Sequence, residues 1–286
     1  MKSFIPLFVG LLSFPALADF KPKTLKDLRS TSVKIMNIEL NSGGTGSIFR
    51  SYSNASHILT NKHVCRLIEQ GGYVVKDEKK YLITHYKKFP HHDLCMVRTK
   101  KTFGISLVVA DTLAKPAQTT YVSGHPNLLP HIATKGHLSS NMTIQLIVGV
   151  EACTEEDFAN GRALDCLFFG GLPKIEEFSS DVVSNLIKPG SSGSAVFNKK
   201  GEIIGVVYAG NGRDFSHGFI VPHIYVLYFI QNAHRIPWVK VGTPVDDNGL
   251  DGRIFNYEKC HDNYIIMSNT VKKICKKIKN PMIWRK

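Results

Sequence analysis

Between Ser32 and Val221 the chain is a succession of short apolar and β-branched segments, separated by turns bearing Gly and Asn. Ser32–Leu40, Gly46–Arg50, His57–Thr60, Tyr73–Val75, Tyr81–Lys87 and Leu94–Arg98 make one series. Thr119–Ser123, Ile132–Leu138, Met142–Val150, Ser179–Leu186, Ser194–Phe197, Glu202–Tyr208 and Gly218–Val221 make a second. Short strands at regular spacing predict an all-β barrel or sandwich, because each strand must turn back to find a neighbour. Two series of similar length predict two β-domains, over 32–112 and 113–232, with a C-terminal extension over 233–286. Pro222 is placed to open a helix running to Asn232, since proline is tolerated in a first helical turn. Glu151–Lys174, acidic and bearing two cysteines, reads as a loop insertion, and the polar, basic stretch before Ser32, within 19–31, as a loose arm.

Residues 1–18 have the layout of a secretory signal peptide. Lys2 supplies the positive start, Phe4–Phe14 the apolar stretch, and Ala16-Leu17-Ala18 a small-residue cleavage site. The stretch is interrupted by Pro6 and Gly10 and is too short to cross a bilayer. Export to a periplasm or the extracellular medium is therefore expected. All six cysteines, Cys65, Cys95, Cys153, Cys166, Cys260 and Cys275, come after the leader, and an oxidising compartment would let them pair. Proximity in the chain suggests Cys153–Cys166 and Cys260–Cys275, leaving Cys65 with Cys95, although sequence leaves the connectivity open. The chain has no CxxC pair and no HExxH, so neither a metal nor another cofactor is expected.

The sharpest chemical signal is Pro189-Gly190-Ser191-Ser192-Gly193-Ser194-Ala195. Small residues packed this closely let backbone N–H groups converge beside one projecting hydroxyl, an arrangement that can hold an oxyanion next to an activated serine. The adjoining segment, Ala195 to Val206 around Asn198-Lys199-Lys200-Gly201, reads as a β-hairpin. A nucleophile elbow needs Gly-x-Ser-x-Gly with a helix after it; position 194 is Ser and a strand comes next, so an α/β-hydrolase is disfavoured. Upstream, His63 lies in His57-Ile58-Leu59-Thr60-Asn61-Lys62-His63-Val64-Cys65, and thirty residues later comes His92-Asp93-Leu94-Cys95. An imidazole base needs a buried carboxylate to fix its tautomer and to stabilise its protonated form. His, Asp and Ser in that order suit one barrel supplying base and acid and the other the nucleophile.

With these residues in view, the chain resembles the chymotrypsin-like (trypsin-like) serine peptidases, closest to the bacterial Deg/HtrA and glutamyl-endopeptidase branches. The resemblance rests on Gly-Thr-Gly-Ser at 44–47, Ile-Leu-Thr-Asn-Lys-His-Val at 58–64, Asp-Leu-x-Met-Val at 93–97, Ser123-Gly124-His125-Pro126 and Pro189 to Phe197. It implies two six-stranded antiparallel β-barrels. It implies Ser192 as nucleophile, His63 as general base and acid, and Asp93 as the orienting carboxylate. The backbone N–H groups of Gly190 and Ser192 would form the oxyanion hole, and Val207-Tyr208-Ala209 would pair with the substrate backbone. Ser191 would point away and Ser194 would pack. Ser191 stands where trypsin-type enzymes carry an Asp that pairs with a freed N-terminus, so activation by that route is not expected. Leu186, six residues before Ser192, stands where trypsins keep a pocket Asp. Val207 and Tyr208 occupy the strand on which glutamyl endopeptidases place a His. An apolar or small residue before the scissile bond is therefore expected. About fifty residues come after Asn232, too few for a PDZ domain, and a monomer is expected.

The formal charge of +13 becomes +12 when the leader, with one Lys and no acid, is removed. Residues 253–286 carry nine Lys/Arg and two acids, and Val271, Ile274, Cys275 and Ile278 recur there at helical spacing. This basic tail has two readings: weak association with an anionic surface, or, preferred, a short helix packed on the second barrel with its lysines solvated. The strands lack the interleaved aromatic and basic residues that would stack nucleic-acid bases. The function expected is an exported serine endopeptidase acting on polypeptides. The alternative is a catalytically silent, protease-like binding protein that uses the same cleft or its basic surface.

Overall fold

The structure is a computed structural model that describes residues 24–39, 42–151, 172–211 and 216–243. The expected leader, the basic tail, Cys153, Cys166, Cys260 and Cys275 lie outside these residues.

In the first half, short strands whose apolar residues point to one side close into a ring. They are β1 (Ser32–Asn37), β2 (Gly43–Ser51), β3 (Ser56–Thr60), β4 (Gly72–Lys76), β5 (Lys79–Lys88) and β6 (Cys95–Thr99). All pair antiparallel in the order β5-β4-β1-β2-β3-β6, and β6 returns to β5. Val33, Ile35, Ile48, Ile58, Val74 and Val97 are fully buried within. Closure removes the two open edges whose unpaired N–H and C=O groups would otherwise face solvent. A short helix, α2 (Lys62–Leu67), leaves the end of β3.

The second ring is made of β7 (Thr119–Gly124), β8 (Ile132–Glu151), β9 (Leu172–Val183), β10 (Ala195–Phe197), β11 (Ile203–Gly210) and β12 (Gly218–Pro222). It closes in the order β10-β11-β12-β9-β8-β7. Strand β11 is apolar on both faces for a reason. Ile204 and Val207 enter the second barrel's own core, while Ile203, Val206 and Tyr208 join the larger core shared with the first barrel. Helix α3 (His223–Asn232) comes directly after β12, with Pro222 at its N-cap rather than in its first turn, and buries Val226 and Phe229 in that shared core. Beyond α3 the chain returns to the first barrel, where β13 (Val239–Lys240) pairs with β5. Buried Lys87 of β5 fixes this return, its ammonium donating to the carbonyls of Ala233 at 2.7 Å and Ile236 at 3.0 Å.

Three expectations change, the first being that β9 begins at Leu172, inside the stretch read as a loop insertion, and ends at Val183, short of the expected Leu186. The segments read as separate strands at Ile132–Leu138 and Met142–Val150 are one strand, β8, with a register irregularity between Leu138 and Asn141. Ser139-Ser140-Asn141 has turn-like composition, but a bulge absorbs it without breaking the pairing. The stretch read as a loose arm contains a helix, α1 (Leu25–Thr31), started by a capping box: Thr24 Oγ1 accepts from the Asp27 N–H, and the Asp27 carboxylate accepts from the Thr24 N–H. Leu28 and Thr31 of this helix are buried.

Candidate active site

His63 and Asp93 are brought together by the first barrel. His63 is the second residue of α2, whose start is set by Asn61, held extended at φ −91° and ψ 156°. Asp93 lies in the turn between β5 and β6. Its carboxylate grips the histidine twice, accepting from the His63 backbone N–H at 2.9 Å and lying 2.6 Å from His63 Nδ1. The Asn61 side-chain amide donates to the Asp93 carbonyl at 2.8 Å. Burial pushes the Asp93 carboxyl upward, but the hydrogen bonds and charge of His63 outweigh it and hold the group below its ordinary value. Asp93 is thus a carboxylate at neutral pH, able to keep the proton on His63 Nδ1 and leave Nε2 as a base. The disulfide Cys65–Cys95 sits two residues after each of the pair and ties α2 to β6. It is the pairing expected for these two cysteines; the other four lie outside the described residues.

The serine-rich loop separates its three hydroxyls. Ser191 is 3% exposed and its Oγ accepts from the Lys188 N–H; Ser194 is fully buried. Ser192 is half-buried and reachable. Gly190 and Gly193 take φ of +86° and +91°, the left-handed region that glycine adopts without strain. The N–H groups of Ser191, Gly193 and Ser194 are spent on Lys188, Val207 and Ser191 carbonyls. Among the described residues, those of Gly190 and Ser192 have no acceptor. The Pro189 carbonyl is held by the Asn127 N–H at 2.5 Å. In a trans peptide the carbonyl and the next N–H point in opposite directions, so this bond aims the Gly190 N–H away from Asn127.

Thr45 joins the two halves of the site. Its N–H donates to the Ser192 carbonyl at 2.7 Å and its hydroxyl to the Gly190 carbonyl at 2.8 Å, while the same hydroxyl accepts from the His125 N–H at 2.9 Å. At Gly44 the approach is closer still: a Cβ there would lie 2.7 Å from Val64 and 2.8 Å from the Ser192 carbonyl. The residue next to His63 and the Ser192 loop therefore converge on one glycine. The Ser192 hydroxyl donates to the Tyr208 carbonyl at 3.4 Å, and no hydrogen bond joins it to His63 among the described residues. A serine activated by His63 as general base would instead bond to its Nε2.

The expected substrate-binding residues divide. Val207 is fully buried, its N–H bonded to Ser194 and its carbonyl to Gly193, so its backbone is already occupied. Tyr208 and Ala209 continue the strand past Ser192. Leu186 is 50% exposed, whereas its neighbour Ile187 is buried against the two glycines of the facing strands. A Cβ on Gly218 would lie 2.4 Å from the Ile187 side chain, and one on Gly210 3.1 Å from its carbonyl. Residue reasoning missed Ile187, Thr45 and Asn127; of these only Thr45, inside Gly44-Thr45-Gly46-Ser47, stood in a motif.

Comparison with known proteins bears on the family and the fold. The family described as Trypsin-like peptidase domain matches residues 44–206. Among solved structures the chain is similar to the active form of the Rv3671c protease from M. tuberculosis, with TM-score 0.57 and 17% identity over 86% of this chain and 96% of that one. It is similar to the MamO protease domain from Magnetospirillum magneticum, with TM-score 0.52 and 16% identity over 70% of this chain and 96% of that one. It is also similar to the serine endoprotease from Yersinia pestis, with TM-score 0.52 and 17% identity over 72% of this chain and 64% of that one. These likenesses establish the double-barrel fold.

Proposed function

The chain belongs to the trypsin-like serine peptidases, and we propose that it is an exported endopeptidase working through His63, Asp93 and Ser192. The observation that carries this reading is the double grip of the Asp93 carboxylate on His63, at 2.9 and 2.6 Å. It leaves His63 Nε2 as the base for the one reachable hydroxyl of the serine loop.

The chemistry is set by those positions. His63 Nε2 takes the Ser192 proton as Oγ attacks the scissile carbonyl carbon, and the imidazolium so formed is stabilised by Asp93. The carbonyl oxygen becomes an oxyanion facing the unspent N–H groups of Gly190 and Ser192. Removal of one such donor typically costs on the order of 10²–10³ in rate. His63 returns its proton to the leaving amine, and water repeats the sequence to release the acid. Tyr208 and Ala209 offer backbone to an extended substrate. Export is supported by the leader layout and by a disulfide of the kind that oxidising compartments favour.

The test uses the protein recovered from the exported fraction. Its N-terminus is expected at Asp19 and it should hydrolyse unfolded casein. A serine-directed fluorophosphonate should label and inactivate it, and Ser192→Ala should remove both labelling and hydrolysis. A Ser192→Ala variant that retains hydrolysis would overturn the assignment; an N-terminus at Met1 would overturn the export.

A further inference from the structure

Resting on that reading of Asp93, we propose that His92 is a positioning residue that ties the Asp93 turn to the second barrel through a neutral ring protonated at Nε2. His92 precedes the carboxylate in the chain, is 3% exposed, and takes no part in the proton transfers above. Its Nδ1 accepts from the Asp93 backbone N–H at 2.8 Å. Its Nε2 lies 2.9 Å from the Ser179 carbonyl on β9. A carbonyl can only accept, so Nε2 carries the proton; a backbone N–H can only donate, so Nδ1 does not. A single uncharged tautomer satisfies both bonds, and adding a second proton would set two donors face to face. Burial holds the ring below its ordinary pKa, against the pull of the Ser179 carbonyl and the Asp93 carboxylate, with Lys62 adding to the lowering.

The rest of the environment is equally directed. The ring meets Tyr208 edge-on at 5.8 Å and Tyr225 of α3 at 4.8 Å. Tyr208 is also the residue whose carbonyl holds the Ser192 hydroxyl. Asp93 is consequently held at each polar end: the carboxylate by His63, the carbonyl by Asn61 and the N–H by His92. His63 and Asn61 come from the same barrel as Asp93. His92, next to Asp93 in the same turn, links it to the Ser179 carbonyl of the other barrel, so the alignment of the carboxylate depends on how the barrels dock. Misplacement of a catalytic group by about 1 Å costs on the order of 10²-fold.

Asn and Gln separate the two bonds. His92→Asn can present an oxygen near the Nδ1 position, and His92→Gln an amide N–H near the Nε2 position. In the full chain, each should lower kcat roughly tenfold to a hundredfold, with KM nearly unchanged. Each should also shift the low-field proton resonance of His63 Nδ1, and His92→Ala should do so most. Wild-type protein, by ¹⁵N NMR, should show His92 neutral with its proton on Nε2. Folded variants with unchanged kcat and resonance would overturn the proposal, as would a wild-type His92 protonated on Nδ1, a result that needs no variant to fold. If the wild type neither hydrolyses casein nor takes up the fluorophosphonate, the triad reading fails instead. The tautomer and the resonance still decide whether His92 grips Asp93.

Discussion

At the residue scale, the apolar preference expected before the scissile bond can be probed at Ile187 as well as at Leu186. Leu186 stands out in the sequence by its distance from Ser192, but it is half exposed, while Ile187 is 2% exposed and occupies space vacated by two glycines. No pattern in the sequence pairs Ile187 with Gly210 and Gly218, because that contact exists only once β11 and β12 are side by side. Ile187→Val removes one methylene from this spot at about 0.5–1.5 kcal/mol of stability. A peptide-library profile should then move toward larger apolar residues before the scissile bond, by roughly tenfold relative to Ala. A wild-type profile dominated by Lys, Arg or Glu would contradict the apolar assignment altogether.

At the element scale, the Cys65–Cys95 bridge joins α2 to β6 and so holds the two segments that bear His63 and Asp93. A disulfide enclosing a loop of this separation, 30 residues, contributes about 2–4 kcal/mol by the loop-entropy account. Cys65→Ala with Cys95→Ala should lower stability in denaturant by that order and reduce kcat more than it raises KM. A double variant with wild-type kcat would restrict the bridge to stability alone. The pairing is legible from the chain only as a remainder after nearer cysteines are matched. Helix α1 has its start written in Thr24 and Asp27, but polar composition outweighs a two-residue cap signal. The continuous β8 is hidden for the converse reason, since a bulge and a turn use the same residues.

At the scale of the whole molecule, three histidines set an acid limit on the fold. His57, His125 and His131 are each held at about 4 against an ordinary 6.5. Burial is the first cause in all three. Nearby cations add to it: Arg98, Lys87 and Arg50 for His57, and Arg29 and Lys76 for His131. Between those pH values the unfolded chain binds more protons than the folded one, so the stabilising effect is full above about 6.5 and is lost as pH falls toward 4. The melting temperature should therefore decline across that window. A flat profile between pH 6.5 and pH 4 would show that these rings titrate normally. His125 lies at the turn that holds the Pro189 carbonyl, so activity should be lost alongside stability.

Legible along the chain were the repeating short strands, hence two all-β halves, and the order of His63, Asp93 and Ser192 along them. Those are local facts: period, turn composition and residue type are written within a few positions of one another. Tertiary structure alone decided which N–H groups of the serine loop stay unspent and that Val207 is already engaged. It alone placed Ile187 opposite two glycines and His92 between the barrels. Each of these depends on hydrogen bonds or close approaches between residues distant in the chain. Such contacts come into being only once the two barrels have closed.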